Sequence, residues 1–130
     1  MKALLPPGWP RPRGYSNGIS AKGRVIVTAG VVGWTAEEVF EATDLPGQFR
    51  QVLRNTLAIL AEDDAGPEHI VRMTWFVTDI VAYRASLAEI GAAYKELIGR
   101  NFPAMAVVGV SALVEPRALI EIETTAIVPD

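Results

Sequence analysis

Glu121 and Glu123 stand two residues apart in the closing segment "ALIEIETTAIV", residues 118–128. Apolar and β-branched residues dominate this stretch, so it reads as a strand. A spacing of two puts both carboxylates on one strand face, while Ile120, Ile122, Thr124 and Ala126 take the other. Carboxylates beside a greasy face are either solvated or lining a site. In a site, such a group can position water and move protons.

Most other chemistries are closed to this chain. It has no Cys, so there is no thiolate nucleophile, disulfide framework or cysteine-bound metal. It has one His, His69, so any metal site would be built almost wholly from oxygen, and no metal site is expected. His69 follows Pro67 at a strand start, where a surface or capping role fits. The net charge is −3 and the pI about 5.2. The basic residues are scattered, with close pairs such as Arg11 and Arg13 but no concentrated patch, which argues against a nucleic-acid surface.

Length and composition then bound the scaffold. A chain of 130 residues makes one domain, residues 1–130. It can bury roughly two-thirds of its unfolded surface, enough for a core without staples. Four prolines among the first twelve residues predict an irregular lead-in without the apolar run of a signal peptide. No stretch approaches the roughly 20 apolar residues of a membrane span, so a cytoplasmic location is expected. Half of the residues are hydrophobic and the mean hydropathy is +0.24. That excess points to surface covered by a partner chain.

The elements that must position the carboxylates can be read in order. "GYSNGIS" and "GRVIVTAG" look like two strands around a turn at residues 21–23. Residues 30–43 read as mostly irregular. A helix is predicted from Asp44, an N-cap followed by Pro46, and Gly66–Pro67 are expected to end it. Phe49, Val52, Leu53, Leu57 and Leu60 form its apolar stripe. "HIVRMTWFVTD" alternates, with Val71, Met73, Trp75 and Val77 on the core face. A second helix is predicted over 81–98, with Tyr83, Leu87, Ile90, Tyr94 and Leu97 inward and Gly99 as its stop. "PAMAVVGVSAL" and the closing segment are the last two strands, joined by a turn near residues 115–117.

The order is β-β-α-β-α-β-β, an α+β layout with a mixed sheet and two helices on one face. The second face, with Phe76, Met105 and Val107 as candidates, needs another cover, which a symmetric oligomer would supply.

This ordered set resembles the RidA/YjgF family of reactive-intermediate deaminases along almost the whole chain. "GYSNGI" is similar to the family's Tyr-containing first strand, and "RVIVTAG" to its "ivfvSGQ" strand. Asn55 falls where the first helix carries a recurrent Asn. "HIVRMTWFVTD" is similar to "dvvkttvflkD", and "FPAMAVVGVSAL" with "ALIEIETTAI" to the family's "fPAR" and "EIE" strands.

The resemblance implies a chorismate-mutase-like fold and a homotrimer with three clefts between subunits. It implies a small-molecule ligand, no cofactor, and hydrolysis of an imine or enamine acid to a keto acid and ammonia. Tyr15, Gly30 and Glu121 match the family's Tyr, the Gly of "SGQ" and its functional Glu. Ala29 and Val31 replace the Ser and Gln of that motif. Met105 replaces the Arg that grips the substrate carboxylate, and a pocket Asn on the second helix falls near Gly91.

The candidate site is thus Glu121 as proton shuttle, with Tyr15, Ala29, Gly30, Met105 and Val107 around the ligand. Arg13, two residues before Tyr15, is a candidate to supply the cation that Met105 does not, ahead of Arg72 and Arg117. Backbone groups near Gly30 and Val107 would orient the water. Glu123 is expected to be scaffold, paired with Arg72 across the sheet. Trp75 is expected in the core and Trp34 is a candidate cleft cap. A non-catalytic ligand-binding trimer is the alternative. An endoribonuclease, attributed to some relatives, fits the acidic balance poorly.

Overall fold

A computed structural model describes all 130 residues. The chain makes strands β1 (Lys2–Ala3), β2 (Ile19–Ser20), β3 (Arg24–Val27) and β4 (Val31–Val32), then helix α1 (Leu45–Ala61). A short 3-10 turn at Pro67–His69 leads into β5 (Ile70–Val77), followed by helices α2 (Ile80–Ala85) and α3 (Leu87–Leu97). Strands β6 (Ala104–Gly109) and β7 (Ile120–Val128) complete the fold. The α+β order is the expected one, with local additions. No helix is long and apolar enough to cross a membrane.

The main sheet has five strands in the order β3-β7-β5-β6, with β4 also on β7. β5 and β6 run parallel, as the intervening helices require, and β7 is antiparallel to β3, β4 and β5. β7 therefore lies inside the sheet and β6 at its edge, on the far side of β5. The ten residues between β6 and β7 carry the chain past the end of β5 rather than forming a hairpin, with a turn closed by Ala118 N–H to Glu115 O at 3.0 Å.

Register assigns the two faces. Ile70, Met73, Trp75 and Val77 of β5 are buried under the helices, as are Ile120, Ile122, Thr124 and Ala126 of β7; a bulge between Ile70 and Arg72 puts Ile70 in the core where Val71 was expected. Phe49, Val52, Leu53 and Leu60 of α1 close over them with Ile90 and Tyr94 of α3, all in one core. Fully burying each such side chain stabilises by about 1.5–3 kcal/mol. The opposite face carries Arg72, Thr74, Phe76, Val108, Glu121, Glu123, Val25 and Val27. Val25 is 61% exposed and Val27 69%, so an apolar strip lies open there.

Several expectations need correction. The first two strands do not both join the sheet: β2 pairs with β1 in a separate two-stranded ribbon, which draws in part of the Pro-rich lead-in. Residues 30–43 are irregular apart from β4. α1 stops at Ala61, short of Gly66. Asp64 adopts a left-handed φ of 57° and Ala65 N–H bonds back to Leu60 O, so an aspartate closes the helix. The predicted second helix is two, broken at Ser86, and no proline or glycine marks the break. Leu87 consequently points out of the core and is exposed. Met105 and Val107 pair with Met73 and Trp75, so both face the helices and not the open face.

Gln48 of α1 holds this arrangement from within. It is 1% exposed, donates to the carbonyls of Ala42 and Arg117, and accepts from the Leu119 N–H. It thereby fixes the entry into β7. Gln48→Leu keeps the volume but strands those three backbone groups, so it is expected to cost about 2–4 kcal/mol. Urea unfolding should show a lower midpoint with an unchanged slope.

Candidate functional site

The carboxylates of β7 sit in different surroundings although they share a face. Glu123 is exposed and Glu121 half-buried. What covers Glu121 is a turn between β3 and β4. Val27 pairs with Thr125 and Val31 with Ile122, so four steps of chain on one strand face three on the other. The extra residue is a bulge at Ala29–Gly30, a device that re-aims side chains at sheet edges. Thr28 anchors it, with its N–H on Thr124 O at 2.9 Å and its hydroxyl accepting the Thr124 N–H at 3.0 Å. A Cβ on Gly30 would stand 2.5 Å from Oε2 of Glu121, so only glycine leaves room for the carboxylate in this position.

Asn55 steadies the same corner from α1. Its Nδ2 donates to Val32 O at 3.1 Å and Trp34 O at 2.7 Å, and its Oδ1 accepts from Gln51. Trp34 itself packs on Phe40, 5.7 Å between ring centres, and lines no part of the main cavity.

That cavity lies on the helix side of the sheet and has a volume of about 730 Å³. Met105 and Val107 of β6 line it, as do Tyr15 and Arg13. The N-terminal arm reaches it because Ser16 bridges to Ala104, with Ser16 N–H on Pro103 O at 3.0 Å and Ser16 Oγ donating to Phe102 O. The remaining wall is aromatic: Trp75, Tyr83, Tyr94 and Phe102. Trp75 and Tyr94 rings are 6.1 Å apart, and Tyr94 stacks on Phe102 at 6.4 Å and 12°. Burial pushes the Tyr83 and Tyr94 phenols up, so both stay protonated at ordinary pH. Tyr94 donates to Asn101 O.

The predicted residues thus fall into two groups on opposite faces of the sheet. Ala29, Gly30 and Glu121 are on one; Arg13, Tyr15, Met105 and Val107 are around the cavity on the other. Met105 and Glu121 do not lie on neighbouring strands, since β5 separates them and their side chains point opposite ways. Glu123 makes no ion pair with Arg72: its register partner is Thr74, and that of Arg72 is Thr125. Gly91 does line the cavity, as its sequence position predicts. Lys95 and Arg100 line it as well and are cations that the sequence alone did not single out; their placement by a helix end and the Gly99 turn is visible only in three dimensions. His69 caps, its Nδ1 accepting the Gly66 N–H at 3.0 Å. There is no cluster of metal-ligating side chains.

No curated protein matches the chain. Solved structures do. A Rid-family protein of unknown function from Yersinia pestis, YyfB, is 33% identical over 98% of both chains, with a TM-score of 0.82. Rv2704 of Mycobacterium tuberculosis, of the YjgF/YER057c/UK114 family, is 32% identical over 89% of this chain and 88% of its own, with a TM-score of 0.68. YyfA of Yersinia pestis, also a Rid protein, is 30% identical over 90% of each chain at a TM-score of 0.70. The model of the family described as endoribonuclease L-PSP matches residues 10–128. With that match over residues 10–128 and these relatives, the chain belongs to the RidA/YjgF family.

Proposed function

We propose that this protein is a homotrimeric, cofactor-independent hydrolase of imino or enamino acids, with its sites between subunits. One observation carries the reading: the two halves of the candidate site lie on opposite faces of one sheet and cannot meet within a chain. A cyclic assembly brings unlike faces together, because its interface is heterologous. The open strip at Val25, Val27 and Val108 supplies apolar surface for such an interface. The Glu121–Gly30 corner of one protomer then closes the Met105–Val107 cavity of the next.

The chemistry follows from those groups. Water adds to the imine carbon, and Glu121 takes the proton from the water and passes it to the nitrogen. The C–N bond then breaks, ammonia leaves and the carbonyl forms. Arg13, Lys95 and Arg100 surround a carboxylate-bearing substrate without ion-pair partners of their own in the chain.

A second reading, a binder without turnover, is favoured by Met105, since a thioether offers a carboxylate no hydrogen bond. The test is ammonia release from imines generated in the assay by an amino-acid oxidase, alongside light scattering. A trimer with turnover is expected, and 2-iminopropanoate should be a poor substrate, by about 10²–10³-fold relative to an Arg-bearing relative, because the gripping Arg is missing. A monomer of 14.0 kDa at micromolar concentration would exclude the reading.

A further inference from the structure

Three features of the cavity have no use in hydrolysing a three-carbon acid. Its volume, about 730 Å³, belongs with ligands of drug-like size. Gly91 stands inside α3, where glycine weakens a helix, and a Cβ there would meet nothing within 4 Å. Its side of the helix is left open towards the cavity that it lines. Trp75 also lines the cavity; it is 4% exposed, and its indole Nε1–H is buried without a partner. That nitrogen is closed off from the cavity, so Trp75 offers a ligand its ring and not a hydrogen bond.

Burial also gives the cavity a direction. Arg13, Lys95 and Arg100 are exposed at the mouth, whereas Trp75 and Tyr94 are buried. Between the two ends the walls are aromatic faces and edges, which favour a flat π-system over an alkyl chain.

We infer that the substrate is a 2-imino acid bearing an aromatic ring. The carboxylate meets the basic mouth, and the ring lies among Trp75, Tyr83, Tyr94 and Phe102 beside Gly91. This deepens the hydrolase reading and rests on it for the word substrate; the ligand preference itself is read out by binding alone.

Calorimetry with the stable keto-acid products is the test. Phenylpyruvate and 4-hydroxyphenylpyruvate are both expected to bind at least tenfold tighter than pyruvate. Gly91→Leu, which adds a better helix former into open space, should cut both aryl affinities at least tenfold and leave pyruvate unchanged. Tyr83→Ala, which removes one ring of the wall, should weaken both aryl acids as well. Pyruvate binding as tightly as phenylpyruvate, or aryl binding indifferent to both variants, would overturn the inference. Ammonia release separates the two ideas: turnover of 2-iminopropanoate without aryl preference rejects only the aryl assignment, and aryl preference without turnover of any imine rejects only the hydrolase.

Discussion

Glu121→Gln is expected to reduce imine turnover by about 10²–10⁴-fold, the usual contribution of a positioned acid–base group, while leaving the fold and ligand affinity nearly intact. Glutamine preserves the shape that Gly30 accommodates but cannot carry the proton. Glu123→Gln should leave turnover within about twofold, because Glu123 is exposed and makes no ion pair. Gly30→Ala tests the same point from the other side. Its Cβ meets Oε2, Cδ and Cγ of Glu121 at 2.5, 2.8 and 3.1 Å, the free end of a flexible side chain. The protein should therefore fold, with the carboxylate swung away and turnover lost. Equal rates for Glu121→Gln and Glu123→Gln in the ammonia assay would return both carboxylates of "IEIE" to the solvated face.

Met105→Arg is expected to tighten pyruvate binding by about 5–30-fold, the 1–2 kcal/mol of a charge-assisted hydrogen bond. A carboxylate such as Glu121 on an adjacent strand would quench the new Arg. The register removes that partner within the chain, since Met105 faces the cavity and Glu121 faces away. Two opposing effects set the ceiling. Arg13, Lys95 and Arg100 already surround the cavity and repel a fourth cation, and the aromatic wall can hold a guanidinium by cation–π contact. Affinity for the aryl acids should fall in the same variant, because the longer head group fills the ring's place. Calorimetry with both ligand types checks the crossover; unchanged pyruvate affinity would mean that position 105 does not reach the ligand.

The fold was legible where local pattern carries it. The stripe of α1 and the alternation of β5 each required only one element's periodicity; the stripe is buried apart from half-buried Leu57, and β5 alternates as read from Arg72 onward. The site was legible only as a set of residues. Which face Met105 occupies depends on β6 pairing with β5 rather than with β7, and a sequence with two strands separated by ten residues looks like a long hairpin. Register between distant strands is decided by the whole sheet, so a local reading has no purchase on it. The bulge at Gly30 was hidden for the same reason: it exists only as a mismatch between two strands almost a hundred residues apart. Lys95 and Arg100 were missed because their chemistry is that of any surface cation until the chain turn at Gly99 brings them to the cavity that Tyr15 reaches from the N-terminal arm. The aspartate closing α1 carried a weaker signal than Gly66 beside it, since glycine is the commoner left-handed residue.

The central claim is that each site is shared between two protomers, with Glu121 from one and the Met105 cavity from the next. It is tested most directly by mixing two inactive variants. Glu121→Gln disables one half, and Met105→Glu disables the other by setting a carboxylate against an anionic substrate. Each should be nearly inactive as a homotrimer towards the imino acid that the native protein hydrolyses fastest. Unfolded and refolded together in equal amounts, they should form hybrid trimers in which about a quarter of the sites combine two intact halves, restoring about a quarter of native activity. Hybrids confirmed by native mass spectrometry that recover no activity would show that no site draws its halves from different chains, and the proposed architecture would fall.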